Sequence, residues 1–356
     1  AAPGAPDAAP ATPDAPLVTP DAPPAGPTVS FVPAEIYVTR SNTSTVKVTL
    51  SAPASADMVV SLSTAGSGAS VPTSVPIGMG MTTASIDVTG VSLGAVTVHA
   101  SGGSQDLLVH VVPAISDVTP ARPDSILGDV VTYTVKLESA PSIPVPIQLL
   151  VDDTSIATVN PMVVVGSGAT QAQFNVTTLA LGVTQIHLGI GNDDHTAQQR
   201  VGGVLMSEIM YDPIGDDSGN EWIELFNATS KDIVLNGISV YAATTPPFSE
   251  VAVLLNTLHA NECIQIAMPA ATNGILGNGT DGDGIRLVIH GDQVIDEVIY
   301  GNSNADMIPD ENDDVPPNPD VGDAASGKTI ERTNAAVKGT WQVATMPTPG
   351  DCSNIP

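Results

Sequence analysis

The chain repeats itself. Adding 88 to the residue number carries Ser51-Ala52-Pro53 onto Ser139-Ala140-Pro141, and Gly78 and Gly80 onto Gly166 and Gly168. The same step carries Val88-Thr89 onto Val176-Thr177, Leu93-Gly94 onto Leu181-Gly182, and His99 onto His187. Read this way the offset holds without a gap from Ser51 to Gly103, and just upstream it slips to 87, where Val48 matches Val135. One period held over this length marks a duplicated folding unit, and a one-residue slip fits a bulge or a changed loop.

The repeated unit reads as strands. Thr45–Leu50 is T-V-K-V-T-L, Ala84–Val88 is A-S-I-D-V and Ala95–His99 is A-V-T-V-H. Each run alternates apolar and polar residues and is bounded by Gly, Ser or Pro, the pattern of a strand with one buried face. No segment keeps a helical period over three turns. The expected fold class is therefore all-β, with tandem β-sandwiches.

Composition narrows the function classes. Apolar residues make up 42% of the 356, enough to build packed cores. Acids outnumber bases 38 to 10, a net charge of -28. That balance excludes nucleic acid as an expected partner, because phosphate binding needs clustered Lys and Arg. It excludes an anionic membrane surface on the same ground. No apolar run reaches the ~18 residues of a membrane span. There is no basic segment followed by an apolar one, so any export signal is expected to have been removed or never included.

Residues 1–28 form a separate block of nine Pro and nine Ala, with Asp7, Asp14 and Asp21 spaced by seven. Proline fixes φ and removes donors, so an extended stalk or tail is expected; a strand donated to a neighbouring copy is the alternative. Four segments follow from these shifts: 1–28 stalk, 29–113 first repeat, 114–202 second repeat, and 203–356. The last carries 23 acids and five bases, hence 5 − 23 = -18 of the total charge, and both Trp and both Cys.

Two resemblances go with these segments. The repeats, through V-T-L-S-A-P at 48–53, the S-x-A-x-V step at Ser67–Val71 and Ser155–Val159, and G-x-G-x-T, resemble the bacterial Ig-like repeats of secreted and surface proteins. The last segment carries V-L-M-S-E-I-M-Y-D-P at 204–213, N-E-W-I-E-L-F-N at 220–227 and D-I-V-L-N-G at 232–237. It continues with the hairpin at 283–301, I-E-R-T at 330–333, Trp341 and P-T-P-G-D at 347–351. In that order these phrases resemble the lamin-tail domain, an Ig-like sandwich. The resemblance implies a non-enzymatic binding or structural module.

The residues allow specific expectations. In Glu221–Asn227, Trp222, Glu224 and Phe226 share one strand face and Ile223 and Leu225 the other. A carboxylate flanked by aromatics needs a partner, because a buried unpaired charge is costly. Arg332 is the expected partner of Glu224, with Arg286 as the alternative base and Glu208 as the alternative acid. Cys263 and Cys352, 89 residues apart and outside any C-x-x-C spacing, are expected to form a disulfide, two free thiols being the alternative. The acidic stretch Asp306–Asp323 reads either as a solvated loop or as a calcium site with Asp310, Asp313 and Asp314 as ligands. It does not fit the EF-hand register.

His99 and His187 are repeat equivalents, and His195, after Asp193-Asp194, is a weaker metal candidate. Asn42, Asn175, Asn227 and Asn278 begin N-x-S/T sequons, more often chance than glycosylation in a bacterial chain. No catalytic motif and no cofactor fingerprint occurs. The expected protein is extracellular and bacterial, secreted or at the cell surface. Its expected work is structural or adhesive, or that of a fibre subunit joined by its tail or strand edges. Binding of polysaccharide or of another surface protein is the third reading.

Overall fold

The computed structural model describes residues 26–271, 274–353 and 355. The expected stalk falls almost wholly outside the described residues. Among those described, every regular element is a strand.

Two sandwiches share one topology. In the first, Val29–Val32, Thr43–Leu50, Thr83–Gly90 and Ala69–Ser70 lie in that order in a four-stranded sheet. Glu35–Thr39, Leu107–Val112, Gly94–Ala100, Met58–Ala65 and Ser74–Ile77 form the facing five-stranded sheet. The second sandwich reproduces both orders strand for strand, down to the parallel pair: Glu35–Thr39 on Leu107–Val112, and Asp124–Ile126 on Asp193–Gly202. Alternation builds the cores. In Thr43–Leu50 every second residue is buried, so Val46, Val48 and Leu50 enter one core as Tyr133, Val135 and Leu137 enter the other.

The one-residue slip sits elsewhere than the sequence places it. Gly80 N donates to Ala54 O, and its equivalent Gly168 N donates to Pro141 O. The glycines are 88 apart but their acceptors 87. The pairs Met58 with Ile77 and Val145 with Val165 show the same difference. From Ala69, whose equivalent is Ala157, the offset is 88. The extra residue therefore enters after strand Met58–Ala65, and the match at Ser51-Ala52-Pro53 is one residue out of structural register. Short Ser/Ala/Pro turns look alike at either offset.

The third sandwich has its own topology. Cys263–Ala267, Trp222–Asn227, Val204–Met210, Ile330–Arg332 and Trp341–Val343 make one sheet. Ser249–Val253, Ile238–Ala243, Asp283–Ile289 and Gln293–Tyr300 make the other. Ile223 and Leu225 enter its core with Met206, Ile209, Leu287 and Val298. Trp222, Glu224 and Phe226 face outward, as the alternation requires, yet Glu224 is 1% exposed. The C-terminal segment covers it.

Candidate functional site

A row of polar side chains crosses the outer face of the last sheet. Cross-strand neighbours run Gln265, Glu224, Glu208, Glu331, Gln342, each on an adjoining strand. The central two carboxylates are buried and hold the segment 347–352 by its backbone. Glu208 accepts from Thr348 N at 3.0 Å and from Thr329 Oγ1 at 2.5 Å. Glu224 accepts from Ser207 Oγ at 2.8 Å and from Gly350 N. Burial pushes the Glu208 carboxyl up, opposed by its Thr329 and Thr348 donors and aided by the charge of Glu224. Cys352 ends this strap in a disulfide to Cys263, with Cα atoms 6.1 Å apart. P-T-P-G-D is thus a strap fastened by two glutamates and one covalent bond.

Arg332 does not pair with Glu224. Its Nη2 lies 2.6 Å from Asp296 on the opposite sheet, with both side chains fully buried. Its Nε donates to Met206 O at 2.7 Å, Nη1 donates to Ala336 O at 2.6 Å, and the guanidinium sits over Trp341. The reason is strand period. Glu331 pairs with Glu208 on the outer face, so its neighbour Arg332 must point inward, between the sheets. Asp296 Oδ2 also accepts from Met206 N at 2.7 Å. Burial pushes Asp296 up while the guanidinium holds it down. The alternative base, Arg286, serves Glu297 at 3.1 Å and stacks on Phe248.

A second buried charge centre joins the second sandwich to the third. Arg200, 6% exposed, lies on strand Asp193–Gly202 and reaches Asp124 Oδ1 at 3.0 Å and Glu311 Oε1 at 3.0 Å. Glu311 comes from the long acidic loop of the third sandwich, contacts Lys338 Nζ, and donates its own N–H to Glu297 Oε1 at 3.0 Å. Two glutamates this close cannot both ionise cheaply. Burial and the bond to Glu311 push Glu297 up to about 9. Glu311 is held down to about 2, its burial outweighed by the bonds from Glu297 and Lys338 and by the charge of Arg200. The pair shares one proton at neutral pH. A cavity of about 150 Å³, bounded by Asp310, Asp320 and Lys338, opens beside it.

The acidic loop is organised from within. Asp310 Oδ1 accepts from Asn312 N at 2.8 Å and Asp314 N at 3.1 Å, and its Oδ2 lies 3.9 Å from Lys338. Asp313 and Asp314 are exposed. The carboxylates of Asp310, Asp313 and Asp314 do not gather within 4.8 Å of one another. His187 sits between Asp194 at 2.9 Å and Asp152 at 3.1 Å, and the bond from Asp194 chiefly raises its pKa. His99 and Asp106, 88 residues earlier, repeat that pair at 2.9 Å. His195 has Asp193 at 3.7 Å. Asn227 is fully buried with its amide bonded to Lys231 O and Leu258 O, so its sequon is not a glycan acceptor in the folded chain.

Sequence reasoning missed Asp296, Glu297, Glu311 and Arg200. The signal for the first two was present: V-I-D-E-V-I-Y sets adjacent acids inside an otherwise apolar strand. No family model matches the chain, and no curated protein matches it. Among solved structures it is similar to the S-layer protein SbsC domains 4 and 5, at 22% identity over 32% of this chain and 68% of that one, with a TM-score of 0.21. It is similar to the D0-D1 domain of intimin at 15% identity, over 49% of this chain and 96% of that one, with a TM-score of 0.21. Against SbsC(31-844), at 16% identity and a TM-score of 0.22, 71% of this chain meets 33% of that one. Overlaps this slight identify no relative and carry nothing about function.

Proposed function

We propose that the chain is a non-enzymatic, extracellular structural or adhesive protein of a bacterium. It displays a lamin-tail-like sandwich (203–356) on a stem of two Ig-like repeats (29–113 and 114–202). The observation that carries this is where the buried charge goes. Arg332–Asp296 ties the two sheets of the last sandwich together, and Arg200 ties that sandwich to the second repeat. Such groups hold a head in a fixed attitude on its stem. The strap supports the lamin-tail reading, because S-E-I-M, W-I-E-L-F and P-T-P-G meet in one hydrogen-bond network. The disulfide favours an oxidising compartment.

Antibodies against the last sandwich, applied to intact cells, test the reading. Surface label is expected, and label appearing only after lysis contradicts it. A fibre subunit is the second reading, favoured by strand Ser249–Val253, which pairs on one side only and leaves Val253 56% exposed. Light scattering of the full chain, and of a chain starting at Val29, separates the two. Monomers in both cases remove the fibre.

A further inference from the structure

The strap hides a second chemistry in its fastening. We propose that, in the dithiol state, Cys263, Cys352 and Glu224 form a binding site for one zinc-class divalent cation, exclusive with the disulfide. Donor atoms of these three residues lie within 4.8 Å of one another, the only such group of His, Cys, Asp or Glu among the described residues. A tetrahedral zinc with bonds of about 2.0–2.3 Å sets its ligand atoms roughly 3.5 Å apart, so once the S–S bond of about 2.0 Å is broken the two sulfurs must part by roughly 1.5 Å. The residues come from three segments already held together. Glu224 is on Trp222–Asn227, Cys263 is on the adjoining strand opposite Phe226, and Cys352 is on the strap. Glu224 Oε1 already lies 3.2 Å from Cys352 Sγ.

Electrostatics supplies the second observation. Glu208 and Glu224 are neighbours across the sheet, both buried, and among the described residues no Lys, Arg or His forms an ion pair with either. Arg332, the nearest cation in the sequence pattern, is turned inward to Asp296. Hydrogen bonds from Ser207, Gly350, Thr329 and Thr348 satisfy these carboxylates without neutralising them. Direct coordination lets Glu224 share its charge with the metal, which the neutral disulfide does not. Two thiolates and one carboxylate select zinc, cobalt or cadmium over calcium and magnesium, which need oxygen donors alone. Both cysteines are half-buried, so reductant and metal can reach them. Water completes the proposed four-coordinate shell.

The chemistry balances. A dithiol reductant breaks the Cys263–Cys352 bond and is itself oxidised to its disulfide. The two electrons and two protons it gives up leave two protein thiols. Metal binding then replaces each thiol proton by a sulfur–metal bond, releasing two protons and leaving the metal's charge balanced by the two thiolates. The metal takes over the disulfide's task of fastening the strap where the bond cannot persist.

The test uses the full chain, reduced with a dithiol that is then removed without air, and Co²⁺ as the probe. One equivalent is expected to give a thiolate–cobalt charge-transfer band with tetrahedral visible bands, and the oxidised chain to give neither. Cys263→Ser is expected to lose the charge-transfer band, and Glu224→Gln to weaken cobalt at least about tenfold. X-ray absorption on the zinc-loaded parent chain is independent of how the variants fold, and is expected to show two sulfur and two oxygen or nitrogen neighbours. A reduced, folded chain without the charge-transfer band overturns the proposal. So does a folded Glu224→Gln that binds as tightly as the parent, or a zinc shell with no sulfur or with four.

Discussion

The two joints between the sandwiches differ in what they bury. At the joint between the first and second, Asn192 Nδ2 donates to Thr43 O at 2.6 Å and Tyr37 packs on the second core. The ion pair there, Arg40 with Glu138 at 3.7 Å, is 55% and 50% exposed. A cavity of about 300 Å³, lined by Leu93, Val112, Pro113 and Ile143, lies between the two. At the joint between the second and third, Arg200 is buried between Asp124 and Glu311, and Val183 N donates to Gln293 Oε1 at 2.8 Å. Leu181 of the second sandwich belongs to the core of the third. A Cβ on Gly202 would meet Val337 at 2.6 Å and Ile295 O at 2.9 Å. Exposed pairs contribute little because water competes for both charges, while a buried charge stripped of its partner is penalised heavily. The lower joint thus carries its ion pair at the surface beside a cavity, and the upper one carries its charge centre buried.

Four changes probe that contrast. Arg200→Ala leaves Asp124 without its guanidinium. It should cost about 3–5 kcal/mol and split one calorimetric transition of the last two sandwiches into two. Gly202→Ala forces a side chain into a full contact; about 1–3 kcal/mol is expected in denaturant unfolding, again at the upper joint.

Alkali should act in the same place. Glu297 holds its proton to about 9 in the folded chain and loses it near 4.5 when unfolded. The folded state therefore binds more protons across that window, and stability falls as pH rises through it. His187, raised by Asp194, adds to the fall above its unfolded pKa, weakly because it is part-exposed. Melting temperatures measured from pH 5 to pH 9 should decline. Glu297→Gln, which cannot ionise, should flatten the decline, and an unchanged slope in that variant removes the shared proton. Arg40→Ala at the lower joint should change stability by less than about 1 kcal/mol and leave every transition where it was.

Much of this was legible beforehand. The 88-residue echo announced two copies of one sandwich, and their sheet orders agree strand for strand. Two cysteines in one segment left one pairing, which the structure contains. The faces of Glu221–Asn227 followed from alternation alone. Partners did not. Glu224 and Arg332 look matched by charge, but Glu331 sets the strand so that Arg332 faces inward, and that register depends on pairings absent from the local sequence. Glu224 meets instead a strap more than 120 residues later, by backbone N–H groups that no composition reveals. Arg200 and Glu311 lie 111 residues apart on different sandwiches, so nothing short-range marks them. Local patterning writes strands and faces; long-range docking decides which charges meet.

Spin labels carried on unnatural side chains leave the native disulfide intact and read both joints in one protein. Exposed Ser85, Gln171 and Ser249 lie on the first, second and third sandwiches. Pulsed dipolar spectroscopy should give a narrow distance distribution from position 171 to 249 and a broad one from 85 to 171. Arg200→Ala should broaden only the first of these. Equal widths in the parent chain, or a broad distribution across the upper joint, would contradict a head fixed by buried charge.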